Sequence, residues 1–370
     1  MNTYEQISVA DFTGAEDWFE FCFYVDWNNN AARLFQQLER VQEYARDEGK
    51  ASNFEHVIGV GRTRLTSLTH GARLGGKKGP YMDFMLEHEH GITFIISRKG
   101  KPHKTIPNVM VRVDGECCLA IGAQKAFDLG RYIVEQLGGD IERNKLSRVD
   151  VCLDMPDVGI HELHRAFKNE RYICRSNAKN FYESPGISLG FGIGSLTCRV
   201  YEKHEEVKLK ANPYKKALMI KNRWNGKTPA QALRVEFQMR RDTLKGKGID
   251  TVEDYYRLRS DLVRYLCFRW LRFTSEKVDR ENKNQSRAKT HEIWVMVQDG
   301  FMRWAGSPAG QELEPLDRST VDISQLIKQA AGVLKSAANY KGKQIANWQE
   351  FARFALPELK RVMAEKHNIK

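Results

Sequence analysis

The sequence predicts an α+β protein: a central antiparallel β-sheet with flanking helices, followed by a mainly helical C-terminal extension. Two observations carry this. Up to about residue 275, short stretches of alternating apolar and polar residues are interleaved with helical patterns. Beyond it, helical spacing dominates. The chain has 370 residues, 41% apolar and 10% aromatic, enough for a sizeable core. That length suits about two domains, and the division expected is 1–277 for the sheet and 278–370 for the helical region.

Each element has its own pattern. Residues 16–27, EDWFEFCFYVDW, alternate aromatic with other residues and predict a first strand. In 30–46, Ala32, Leu34, Leu38, Val41 and Ala45 recur at near-helical spacing. The Gly/Arg/Lys-rich stretch 59–80 reads as a loop. Strands follow at 92–98 and 108–115, then a helix at 122–137 that stops at Gly138-Gly139. Further strands are expected at 146–155, 187–195, 196–206 and 232–241, with a helix at 161–169. A basic loop is expected before 232, a helix at 252–275 and a polar connector at 278–289. Helical stretches near 291–304, 321–337 and 346–366 complete the chain.

Lys+Arg number 59 against 47 Asp+Glu, a net charge of +12. That surplus makes nucleic acid the leading partner class. No run of 18 apolar residues exists, so no membrane span is expected. The acidic, polar N-terminus lacks the basic and apolar regions of a signal peptide, so a cytoplasmic protein is expected. Seven cysteines, with no CxxC pair, read as reduced and structural.

The chemistry concentrates on three strands. In an exposed strand alternate side chains share a face. Arg148, Asp150, Cys152 and Asp154 then share one face, and Val149, Val151 and Leu153 the core face. Thr197, Arg199, Tyr201 and Lys203 form one face of the next strand. Arg234, Glu236 and Gln238 oppose Leu233, Val235, Phe237 and Met239. If the three are neighbours, Asp150, Asp154 and Glu236 converge. Three carboxylates repel unless a cation sits among them, and oxygen ligands suit Mg²⁺ or Mn²⁺. Tyr201 beside such an ion, with Arg199 and Lys203 at hand, has the makings of a nucleophile toward phosphate. The competing reading is an ordinary half-solvated sheet, with Asp150 and Asp154 paired to Arg148 and Tyr201 as a cross-strand aromatic.

These segments resemble the Rep_trans family of rolling-circle replication initiators, in order over about 16–300. EDWFEFCF resembles its opening DW-aromatic strand, and SRVDVCLD its TRxDxxxD strand. GFGIGS followed by CRVYEK resembles its GS…RxYdK pair, LRVEFQMR its RxExxxr strand, and NKNQSR with Trp294 its late N-x-S-R…W segment. The resemblance implies that Tyr201 is the nucleophile and that Asp150, Asp154 and Glu236 serve a metal, Mg²⁺ or Mn²⁺. It implies nicking of an origin, a 5′-phosphotyrosyl link, a free 3′-OH and later rejoining. The implied partners are origin DNA, double-stranded but locally single-stranded, a host helicase and polymerase, and a second copy of the chain. The implied setting is a bacterial cell carrying a phage or plasmid. The loop around 200–232 and the tail after about 305 do not follow the family pattern. Two alternatives stay open: a conjugative relaxase with the same chemistry, and a non-catalytic origin-binding regulator.

Other signals are weaker. His88-Glu89-His90 is the closest histidine pair, but Glu89 stands where the other large nickase class needs an apolar residue. His161 and His164 read as surface residues of a helix, and His204 as a proton shuttle or a bystander. The segment 197–241 holds 12 Lys/Arg against four Glu. Lys215, Lys216, Lys221 and Arg223, with Trp224, are the expected DNA contacts there, together with Arg148 and Arg234. The basic helical tail reads as an origin-reading or dimerising element.

Overall fold

The structure, a computed structural model, describes residues 8–47, 52–57, 62–74, 79–183, 186–278, 285–308, 310, 313, 323–342 and 347–367. The strands are β1 (Thr13–Asp26), β2 (Ser52–Val57), β3 (Arg62–Ser67), β4 (Ala72–Arg73), β5 (Tyr81–Met82), β6 (Phe84–His88), β7 (Ile92–Ile96) and β8 (Val109–Val113). There follow β9 (Asp140–Pro156), β10 (Tyr172–Cys174), β11 (Lys179–Tyr182), β12 (Ser188–Ile193), β13 (Leu196–Glu202), β14 (Ala232–Arg240) and β15 (Leu271–Phe273). Eleven of them form one antiparallel sheet in the order β11-β12-β13-β14-β9-β1-β8-β7-β6-β3-β2. The α+β expectation therefore holds.

The long central pair β1–β9 sets the two faces. Phe19, Phe21, Phe23 and Val25 of β1 are buried with Val149, Val151, Leu153 and Met155 of β9. Helices cover this face: α1 (Ala31–Asp47), α3 (Ala123–Gln136), α8 (Val252–Arg264) and α9 (Glu292–Ala305). Between α1 and α3 lies the short α2 (Gly115–Ala120), capped by the Asp114 side chain. The α3 helix fits closely, since a Cβ at Gly130 would sit 3.2 Å from Phe21. Helix α4 (His161–Lys168) follows β9, and α5 (Lys203–Lys210), α6 (Pro213–Arg223) and α7 (Arg241–Lys245) bracket β14.

The structure corrects several expected boundaries. Within 59–80, Arg62–Ser67 and Ala72–Arg73 are strands; 59–61 and 75–78 lie outside the described residues. The strand expected to run to 206 ends at Glu202, where α5 begins. The basic stretch after it is helical, not a loop. Asn212 accepts a hydrogen bond from the Lys215 amide at 2.7 Å and Pro213 takes the first turn, a helix-start signal present in the sequence. The helix expected over 252–275 stops at Arg264; a π turn spans Tyr265–Trp270 and β15 follows. In that turn the Cys267 carbonyl is free to accept Trp294 Nε1 at 2.8 Å and Gln298 Nε2 at 3.0 Å.

Those two bonds tie α9 into the sheet domain. The first compact unit is Met1–Glu314 and the second Pro315–Lys370, so the division expected at 277/278 lies later in the chain. The physical reason is Trp294 and Phe301, which are core residues of the first unit. In the second unit, α10 (Ile323–Tyr340) and α11 (Trp348–His367) bury Ala338, Phe354 and Ala355. No helix among the described residues is long and apolar enough to cross a membrane. All seven cysteines are free thiols.

Candidate active site on the open face of the sheet

Register decides what meets on the other face. β14 lies between β13 and β9, with Arg199 opposite Glu236, Tyr201 opposite Arg234 and Asp154 opposite Arg234. The three strands singled out in the sequence are therefore neighbours, and their polar residues share one face.

Tyr201 and Glu236 form the first cluster. The Tyr201 hydroxyl donates to Glu236 Oε2 at 2.9 Å. Arg199 Nη2 donates to the other oxygen, Oε1. Glu236 is buried and the Arg199 side chain is half exposed, so the guanidinium bridges the carboxylate and solvent. Lys203 Nζ stands 3.5 Å from the Tyr201 hydroxyl and 3.0 Å from Glu206 Oε1. Burial, and then the charge of Glu236, hold the Tyr201 phenol well above its ordinary pKa. In the folded protein the phenol is therefore neutral, and its hydrogen bond runs to Glu236. Tyr201 borders a cavity of about 200 Å³ that Tyr182, Ser188, Arg199, Glu205 and Lys210 also line.

The second cluster is a buried charge network. Arg234, fully buried, makes a fork to Asp154 with bonds of 2.7 and 2.6 Å. Its third nitrogen lies 2.9 Å from Asp17 Oδ1. Arg223 lies 3.9 Å from Asp154. Burial alone would raise the Asp17 carboxyl, but Arg234, Lys203 and Arg223 hold it down, at about 2. Sequence reasoning missed Asp17. β1 has a register irregularity between Glu16 and Trp18, so simple alternation does not place it. Removing one partner of a buried pair leaves the other charge uncompensated. Asp154→Ala is therefore expected to cost about 3–5 kcal/mol, read from chemical denaturation.

The third cluster is Arg148 with Asp150. Arg148 donates to both Asp150 oxygens, at 2.9 and 2.5 Å, and to Gln238 at 3.2 Å. Burial pushes the Asp150 carboxyl up to about 6 despite these bonds, and Glu236 and Asp17 add to the push. A carboxyl raised on folding contributes stability that is present below its unfolded pKa and lost as pH rises through its folded one. The expected outcome is that Asp150→Asn gains on the wild type in thermal midpoint as pH rises from about 4 to above 6. A pH-independent gap between the two proteins would contradict it.

The three expected metal ligands are thus not brought together. Asp154 is neutralised by Arg234, Asp150 by Arg148 and Glu236 by Arg199. Among the described residues, no group of three His, Cys, Asp or Glu is placed to hold a metal ion. The donor set does not fit a three-carboxylate cation site, because guanidinium groups already occupy it.

The expected DNA contacts also divide. Arg234 and Arg223 are buried in the charge network. Trp224 is buried with Leu119, Val207, Met219 and Ala232, a small core under α6, and offers no face for base stacking. Lys216 and Lys221 are exposed on α6 and Lys215 is half-buried there. His88 is buried at the end of β6 and accepts from the His90 amide at 3.2 Å, so this pair closes a turn.

The fold and site together define an α+β protein with a buried tyrosine–glutamate pair at the edge of an arginine-rich sheet face. No family model matches the sequence. No curated protein matches it either. Among solved structures it is similar to a rolling circle replication initiator protein from Geobacillus stearothermophilus, with 14% sequence identity and a TM-score of 0.43, covering 79% of this chain and 97% of that one.

Proposed function

We propose that this protein nicks one strand of DNA through Tyr201 and rejoins it, as an initiator of rolling-circle replication. The observation that supports this best is the Tyr201 hydroxyl donating to Glu236 Oε2 at 2.9 Å, beside a solvent-facing arginine on the same carboxylate. The Rep_trans-like segments 146–155, 196–203 and 232–241 supply these residues.

The step follows from the geometry. As the Tyr201 oxygen attacks a backbone phosphorus, its proton passes to Glu236. The bond from phosphorus to the 3′-oxygen breaks, and that oxygen leaves as a 3′-hydroxyl after taking a proton. Lys203, beside the tyrosine oxygen, is positioned to give that proton. Arg199 supplies positive charge to the phosphate at the cavity mouth. The bond energy is kept in the phosphotyrosine, so reversal rejoins the strand without a nucleotide cofactor.

Mg²⁺ or Mn²⁺ is a further proposal, confined to Asp150 and Glu236, and it requires both to give up their pairing with Arg148 and Arg199. A divalent ion held there would polarise the phosphate. Replacing EDTA by Mg²⁺ or Mn²⁺ in the nicking assay tests it. The partners proposed are origin DNA, host helicase and polymerase, and a second copy of the chain. Double-stranded origin DNA opened locally is the proposed substrate form.

The test is a nicking assay on supercoiled plasmid carrying the gene and its flanks, denatured and run with and without protease. Open circles with protein attached to the 5′ end are expected. Binding to the true origin without any cleavage would leave the origin-binding regulator instead.

A further inference from the structure

A second cavity on the open face lies beyond the tyrosine site and has no role in the chemistry above. It has a volume of about 940 Å³ and spreads over β14, β9, β1 and β8. Its floor is a cross-strand row. Arg240 pairs in register with Arg148, Arg148 with Glu20, and Glu20 with Arg112. Three strand spacings of about 4.8 Å make the row about 14 Å long. It starts two alternations from Glu236 on β14, about 13 Å along the strand.

The row is not electrostatically closed. Like charges directly opposite one another destabilise a sheet unless something pairs with them. Arg240 is exposed and makes no ion pair among the described residues. The buried Nε of Arg112 has no hydrogen-bond partner there. Lys145 and Arg241 add charge along one wall; Glu20 and Asp242 are the acids that line the cavity. Arg148 is engaged by Asp150, and Arg241 by Asp250. The uncompensated charge is therefore mainly that of Arg112, Arg240 and Lys145.

An apolar tip stands at one end. Gly194 and Ser195 of the β12–β13 turn line the cavity, and Ile193 beside them is 80% exposed. The turn is held firmly. The Arg240 amide donates to the Ser195 carbonyl at 2.8 Å, and Thr243 Oγ1 donates to Ser195 Oγ at 3.0 Å. Gly194 has φ +79°, a conformation that favours glycine, so the sharp turn presents Ile193 outward. A bare isoleucine on an anchored tip beside unpaired arginines suits a polymer with charged backbone and apolar base faces.

We propose that this groove seats a single strand of nucleic acid, with phosphates on Arg112, Lys145 and Arg240 and Ile193 wedged against a base step. The proposal rests on the DNA reading above and names where the strand lies as it approaches Tyr201.

The test is binding, measured separately from cleavage. In the Tyr201→Phe background, a labelled single-stranded oligonucleotide is titrated by fluorescence anisotropy across NaCl concentrations. Arg112→Ala/Arg240→Ala should weaken binding about tenfold or more and lower the salt slope by about 1.4, since each phosphate contact on a single strand contributes about 0.7. Lys125→Ala/Arg131→Ala on α3, which packs on the other face of the sheet, is the control and should move the slope less. An oligonucleotide containing 2-aminopurine should brighten on binding, and Ile193→Ser should remove that signal while leaving the salt slope unchanged. Unchanged affinity and slope in the double arginine variant, with folding verified by circular dichroism, would overturn the proposal. So would preferential binding of the matching duplex. A chain that binds here but never nicks would refute the tyrosine reading and leave this one standing.

Discussion

Tyr201→Phe is expected to abolish nicking and covalent attachment while leaving DNA affinity within about threefold. The substitution removes one oxygen from a buried ring and with it the bond to Glu236. Two other hydroxyls line the cavity, those of Tyr182 and Ser188, but among the described residues neither is hydrogen-bonded to Glu236, and Lys203 is engaged by Glu206. Glu236 keeps Arg199 on its other oxygen, so no buried charge is orphaned and the fold should persist. Loss of binding along with nicking would show that the tyrosine is structural. Retained nicking would remove it from the chemistry.

Glu236→Gln is expected to slow nicking by about 10²–10⁴-fold, the usual worth of a positioned general base. The amide keeps the shape of the carboxylate and can still accept from the phenol. It cannot accept the phenol's proton. Because burial holds the Tyr201 phenol neutral, attack without that acceptor would require an oxyanion in a buried place. Single-turnover nicking, with folding checked by circular dichroism, separates this from a folding defect. An equal rate in the variant would mean that the proton goes elsewhere.

Much of this site was legible as alternation. The run 148–154 put Arg148, Asp150 and Asp154 on one face because Val149, Val151 and Leu153 had to be buried, and the structure agrees. The same held for Glu236 and Arg234 against Val235 and Phe237. Alternation places a charge on a face but says nothing of its partner across the strand gap. Asp154 is on the expected face, yet Arg234 stands opposite it in register, so it neutralises a guanidinium instead of a metal. Asp17 was hidden for a different reason: the register irregularity in β1 breaks the period by which it would be read. A loop would leave Trp224 open to solvent; as the residue that ends helix α6 it instead packs with Val207 and Met219. The Asn212-Pro213 start of that helix was present in the sequence. The π turn at Tyr265–Trp270 has no comparable local signature, since α8 and that turn share one apolar pattern.

The central claim is that the Tyr201 oxygen becomes bonded to a DNA phosphate. It is tested most directly by trapping the reaction on an origin-bearing substrate, digesting with nuclease and trypsin, and measuring peptide masses. The account expects the fragment 200–203, Val-Tyr-Glu-Lys, to carry a nucleotide through its phosphate on Tyr201. Nicked DNA with that fragment unmodified, or a nucleotide on any other residue, would contradict it.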